Sequence, residues 1–185
     1  LGNAVSVQPR DALPGALARL SGKRVRVDAA GSPAWFAQQL RSVGATVVAG
    51  MDPCLLPKAS KNVVERQGSR NAHARDAVAV CRFLHWLEEA GGRQSQLSAA
   101  AHLLALRVEV ARIRGESFPA ISGAGPNGAV IHYRVSPESN RAIGANEVYL
   151  IDSGAQYEDG TTDITRTIWT GPDAPPDELR DRVTR

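Results

Sequence analysis

The residues best able to do chemistry are the acids of one short stretch. Leu150-Ile-Asp-Ser-Gly-Ala-Gln-Tyr-Glu-Asp-Gly-Thr-Thr-Asp-Ile-Thr-Arg-Thr167 carries Asp152, Glu158, Asp159 and Asp163 between two apolar runs. Asp152 closes one run and Asp163 opens the next, so two neighbouring antiparallel strands could hold both carboxylates on one side. An ionised carboxylate at the rim of a buried sheet is costly unless it is paired or bound to a cation. Hard divalent ions such as Mn²⁺ suit oxygen ligands of this kind. A plainer reading stands beside it: Asp159-Gly160 is a hairpin signal, and Asp152 before Ser-Gly can cap a turn with its own side chain. A two-residue hairpin at Asp159-Gly160 does not set Asp152 directly opposite Asp163, so the metal reading requires a bulge or bend.

The elements that must position these acids follow from the pattern around them. From Phe118 onward, Ala120-Ile-Ser122, Ala129-Val-Ile-His-Tyr133, Val148-Tyr-Leu-Ile-Asp152 and Asp163-Ile-Thr-Arg-Thr-Ile-Trp169 are rich in branched and aromatic residues and predict strands. His132 falls in the second run, where a lone histidine reads first as a core or surface residue. Ahead of the strands, Ser60 to about Ala90 reads as one helix with an apolar stripe of Ala77, Val80, Cys81, Leu84 and Leu87, stopped by Gly91-Gly92. Gly68 inside it costs about 1 kcal/mol of helix propensity and predicts a bend or a separate first turn. A second helix, about 97–110, has Ser95 as its candidate cap. His73, His85 and His102 lie on these helices with no pocket implied.

Before the helices, Asp52-Pro-Cys-Leu-Leu-Pro57 leaves no room for a continuing helix and predicts a domain boundary. Residues 23–49 read as strand, helix and strand, with Ser32-Pro33 starting the helix. Pro175-Pro176-Asp177 looks like another helix start. The fold class is therefore an α/β fragment followed by an α+β unit.

The 185 residues suffice for one domain or two partial ones. Hydrophobic residues at 43% and charged residues at 22% exclude wholesale disorder. The 22 basic residues against 19 acidic ones are scattered, so the net charge of +3 does not argue for nucleic acid. Cys54 and Cys81 match no metal-ligand spacing and point to a reducing compartment, with the cytoplasm as the expected location. No run approaches the roughly 18 apolar residues that span a bilayer. The chain opens at Leu1, has its single methionine at Met51 and closes on Arg185, which leads to the expectation that both ends belong to a longer polypeptide.

The stretch Ile151 to Thr167 resembles the first metal-ligand segment of the aminopeptidase P family, the Xaa-Pro aminopeptidases of the pita-bread fold. Ala72-His-Ala-Arg-Asp-Ala-Val-Ala-Val-Cys-Arg-Phe-Leu-His-Trp-Leu87 resembles the first helix of that family's catalytic domain, and Ile121-Ser-Gly-Ala-Gly-Pro-Asn-Gly-Ala-Val-Ile-His-Tyr133 its substrate-lining loop and strand. The resemblance covers about residues 52–170. It implies that residues 1–51 are the tail of a creatinase-like, non-catalytic middle domain, and that 52–185 are the N-terminal half of the peptidase domain. It further implies that Asp152 binds one divalent ion, that Asp163 bridges two, and that His132 faces the substrate without binding metal. The expected ion is Mn²⁺. The implied reaction releases the N-terminal residue from peptides with proline second, through a metal-bridging hydroxide that attacks the scissile carbonyl. Family members are often dimers, so a homodimer is among the implied partners, with peptide substrates but neither nucleic acid nor membrane.

The family's remaining ligands are one histidine and two glutamates further along the chain. After Asp163 there is no histidine here, and Glu178 is the sole glutamate. The 185 residues alone are therefore expected to be inactive. Two alternatives remain at this stage: a prolidase-type dipeptidase, and a non-catalytic pita-bread module that binds peptide or protein. Retention of both Asp152 and Asp163 weighs against the binding module.

Overall fold

A computed structural model describes residues 4–183. The chain divides into two compact units, one ending at Lys61 and one starting at Asn62.

In the first unit, β1 (Arg24–Val27) and β2 (Thr46–Ala49) pair in parallel, with Val25 beside Val47, and α2 (Ala34–Ser42) connects them. The exit from α2 is a Schellman turn. Ala45 N–H donates to Leu40 O and Gly44 N–H to Arg41 O, and Gly44 takes the required positive φ of 79°. α1 (Leu13–Ala18) precedes the pair. The Asp52-to-Pro57 linker is not helix-free: α3 (Leu55–Ala59) forms within it. Pro57 is its third residue, where a missing N–H leaves no intrahelical bond unmade. Asp28 accepts from the N–H of Asp52 and of Ala30, which hold its carboxyl below the usual carboxylate range.

The second unit starts with α4 (Val63–Ala90), an unbroken helix whose start is spelled by Asn62 and Glu65. Asn62 N–H donates to the Glu65 carboxylate and Glu65 N–H to Asn62 Oδ1, a reciprocal capping box. Gly68 neither bends the helix nor starts it anew. A Cβ there would collide with the Asp159 carbonyl, so the glycine marks close backbone approach. The buried stripe is Ala72, Asp76, Ala79, Val80, Phe83 and Leu87, one residue's rotation away from expectation, and Ala77 and Cys81 are exposed. α5 (Gln96–Val108) is capped by Ser95, whose side chain accepts from Ser98 N–H while Ser98 returns the bond.

Three antiparallel strands follow in the order β3 (Ile113–Ala124), β4 (Glu147–Tyr157), β5 (Ile164–Thr170). The expected strand 129–133 is absent: residues 125–129 form a 3-10 turn, and His132 stands in the turn that follows with φ of +53°. Gly125-Pro-Asn-Gly128 favours that turn, and Gly128 packs on the backbone of Gly123. Tyr149 and Ile151 of β4 meet Val80, Phe83, Leu87, Leu103 and Leu106 of the two helices to form the core. The even-numbered residues of β4 therefore occupy the opposite face. The last element is α6 (Asp177–Val183).

Candidate metal centre

Strand register decides where the acids go. β4 and β5 pair without a bulge: Ser153 faces Ile164, Asp152 faces Thr165, and the ladder runs through to Glu147 and Thr170. An isolated bridge between Gln156 and Thr161 continues the same register, and Tyr157 N–H donates to Gly160 O, so Glu158-Asp159 form the tight turn. In this register Asp163 stands across from Gly154, on the same face as Asp152 and diagonal to it. Diagonal neighbours of this kind are separated by roughly 7–8 Å, within reach of ions held between two carboxylates. No residue is inserted between β4 and β5; the irregularity there is confined to Thr162, whose Oγ1 takes the Ala155 N–H. The irregular register lies on the other side, between β3 and β4, at Arg114, Ser117 and Pro119-Ala120.

Asp152 is half-buried, and its Oδ1 accepts from Thr165 Oγ1 at 2.8 Å, which fixes the carboxylate plane and leaves Oδ2 open. Asp163 is exposed and has no hydrogen-bond or ion-pair partner among the described residues. His132 and Asp152 line one cavity of about 210 Å³, together with Ile121, Val130, Leu150 and Thr165. Asp163 does not line it. The donor set is two hard oxygen ligands on one face, chemically suited to Mn²⁺ or a similar ion. Among the described residues no three His, Cys, Asp or Glu converge into a group that could hold a metal ion.

His132 is placed by a network the sequence reading missed. Gln96, fully buried at the start of α5, accepts from Ala124 N–H at 2.8 Å and Asn127 Nδ2 at 3.0 Å. Its Nε2 donates to Tyr133 Oη at 3.2 Å and Ser139 O at 3.3 Å. Gln96 O accepts from Ser122 Oγ, which also pairs with Tyr149 Oη. Burial pushes the Tyr149 phenol up to about 12. These bonds hold both ends of the 125–133 loop, and a non-glycine residue kept at positive φ is the kind of local strain that such a scaffold can sustain.

A second network reaches Thr162, the residue before Asp163, from the core side. Asp76, fully buried on α4, accepts from Arg107 Nε at 2.7 Å and Nη2 at 2.9 Å. Tyr157 Oη donates to it at 3.0 Å and Thr162 Oγ1 at 2.8 Å. Burial and the neighbouring Asp76 carboxylate push the Tyr157 phenol up. A charged residue inside the apolar spacing of α4 was the available signal. Asp159 is a turn residue, not a ligand: it pairs with Arg75, whose hydrogen bond holds the carboxyl below its usual range. Of the other histidines, His73 Nδ1 bonds Ser69 O, His102 stacks on Trp86, and His85 pairs with Glu89 at the edge of an apolar groove.

The profile of metallopeptidase family M24 matches residues 67–185. The chain is 48% identical over 122 residues to the Xaa-Pro aminopeptidase ApepP of Drosophila melanogaster, a match covering 64% of this chain and 20% of that protein. It is 44% identical over 134 residues to Xaa-Pro aminopeptidase 2 of Homo sapiens, covering 71% and 20%. The match thus spans about a fifth of these curated relatives. Among solved structures, the X-prolyl aminopeptidase of Caenorhabditis elegans, described as a cytosolic enzyme with a di-nuclear active site, superposes with a TM-score of 0.65 at 26% identity, covering 84% of this chain and 33% of that one. The Pyrococcus furiosus prolidase superposes with a TM-score of 0.75 at 19% identity, over 96% and 49%. The architecture is part of the pita-bread fold expected from the sequence.

Proposed function

The chain belongs to metallopeptidase family M24, and we propose that it is the part of an Xaa-Pro aminopeptidase that carries the metal ligands Asp152 and Asp163 and the substrate-facing His132. Residues 1–51 are then the tail of a preceding domain and 52–185 the first half of the peptidase domain. The observation that carries this reading is the β4–β5 register, which sets both aspartates on the face away from the helices, where His132 shares a cavity with Asp152. Relatives at 48% and 44% identity support the aminopeptidase over the prolidase alternative.

Asp152, oriented by Thr165, would hold one ion, and Asp163, without a partner among the described residues, would be shared by two; the di-nuclear centre of the C. elegans enzyme supports that count, and we favour Mn²⁺. When bound, such ions activate water as a nucleophile at neutral pH and polarise the scissile carbonyl. His132 donates a hydrogen bond to the carbonyl oxygen as negative charge builds on it. Val130 and Ile131, 54% and 86% exposed, flank it with apolar surface for the peptide. A cytosolic location is supported by the unpaired Cys54 and Cys81. No described helix is long and apolar enough to cross a membrane. A homodimer is part of the proposal and is checked by light scattering.

The test is hydrolysis by the full-length protein after chelation and Mn²⁺ return. The substrates are a peptide with proline second, the same peptide with alanine second, and the Xaa-Pro dipeptide. Cleavage of the longer proline peptide alone, and only with metal, is expected, while residues 1–185 by themselves cleave nothing. A full-length protein that stays silent with Mn²⁺ present would leave the binding module as the reading.

A further inference from the structure

We propose that Thr162, clamped by the buried Asp76–Arg107 pair, is the positioning residue that sets the direction of the Asp163 carboxylate. This rests on the metal-centre reading of Asp163. In a regular hydrogen-bonded pair, Ala155 and Thr162 would exchange both backbone bonds. Thr162 N–H does donate to Ala155 O at 2.9 Å, but Ala155 N–H donates to Thr162 Oγ1 at 2.9 Å instead of to the carbonyl. The side chain has replaced the backbone in the ladder. The displaced Thr162 carbonyl tips over Gly154, where a Cβ would collide with it, and accepts from Ser117 Oγ at 3.0 Å. Ser117 is itself delivered by the register shift between Glu116 and Phe118.

The peptide that leads into Asp163 is therefore rotated out of the ladder at Thr162, whose hydroxyl reaches the Asp76 carboxylate. Asp76 divides its four bonds evenly. Oδ1 takes Arg107 Nε and Tyr157 Oη, and Oδ2 takes Arg107 Nη2 and Thr162 Oγ1. With no exposed surface and every lone-pair direction used, Asp76 has a single stable orientation, and Thr162 inherits it. Asp163 has no partner of its own among the described residues, so its direction comes from the backbone at Thr162. Groups that orient a ligand from behind typically change metal affinity by about 10- to 100-fold when removed.

The two oxygens of Asp76 supply the control. Thr162→Val keeps the shape and removes the hydroxyl on the metal side; Tyr157→Phe removes one hydroxyl from the same carboxylate on the side away from it. Metal-free full-length protein and its variants are titrated with Mn²⁺ in a calorimeter, with thermal melts recorded on the same samples. Thr162→Val is expected to weaken Mn²⁺ binding by about 10- to 100-fold. Thr162→Ser, which keeps the hydroxyl, binds as the parent does, and Tyr157→Phe melts earlier but also binds as the parent does. Equal weakening in Thr162→Val and Tyr157→Phe, or parental binding in Thr162→Val, overturns the proposal. Should Thr162→Val not fold, Ser117→Ala, which releases the rotated carbonyl, is expected to weaken Mn²⁺ binding, and parental affinity there counts against it. Asp163→Asn separates the layers: if it binds Mn²⁺ like the parent, the metal-centre reading itself falls, whereas if it alone weakens binding, only the role of Thr162 is refuted.

Discussion

Replacing Gln96 by leucine tests whether the 125–133 loop is held by one buried amide. Leucine has nearly the same volume, so the core at the start of α5 keeps its packing and the change is confined to four hydrogen bonds. Ala124 N–H, fully buried, loses its acceptor at 2.8 Å, and an orphaned buried donor costs about 1–3 kcal/mol. The other partners are partly rescued. Asn127 Nδ2 still donates to Tyr133 Oη at 2.8 Å, and Tyr133 Oη to Ser139 O at 3.0 Å, so their share is about 1 kcal/mol. The sum is about 2–4 kcal/mol, read by equilibrium urea unfolding of parent and variant full-length protein. Because the loop carries His132 at φ of +53°, kcat/KM for a proline peptide should fall by about tenfold or more, with Mn²⁺ affinity unchanged. A stability change within about 0.5 kcal/mol, the range of an ordinary surface substitution, would refute the reasoning.

Gly68→Ala should lower the melting temperature although alanine is the better helix former, because its Cβ meets the Asp159 carbonyl; a higher melting temperature would contradict the contact. Arg107→Met should cost about 3–5 kcal/mol in urea unfolding at neutral pH, since it strands the Asp76 charge in the core. The Asp159 pKa is lowered by Arg75, so the pair's contribution is present above the unfolded carboxyl's pKa and is lost as pH falls through the lower folded value. The melting temperatures of the parent and Asp159→Asn should therefore differ at pH 7 and converge in strong acid, which a pH series of melts checks.

The parts of this fold set by local chemistry were legible. Ser95 caps α5, apolar runs became β4 and β5, and Asp152, within β4, shares a face with Asp163 just ahead of β5. The parts set by tertiary approach were not. Gly68 reads as a weak point in a helix until the Glu158-Asp159 turn is seen against it. The stripe of α4 was read one residue off because Asp76, an acid at a core position, breaks the apolar spacing that includes Ala79 and Phe83; its partner Arg107 is on another helix. Val130-Ile-His132 has strand composition, yet among the described residues no strand pairs with it, and the glycines at 125 and 128 take the chain into a turn. Asp152 and Asp163 stand out in the sequence by type and spacing, and their role as ligands is part of the proposal. Gln96 and Thr162 do not stand out, because neutral residues that act through hydrogen bonds leave no periodicity in a sequence.

The most direct test of the central claim is a metal count. Full-length protein loaded with Mn²⁺ and freed of excess is analysed for manganese per chain, alongside Asp152→Asn and Asp163→Asn. Two ions in the parent and one or fewer in each variant is the predicted result; two ions retained in Asp163→Asn would contradict the placement of a bridging ligand at that position.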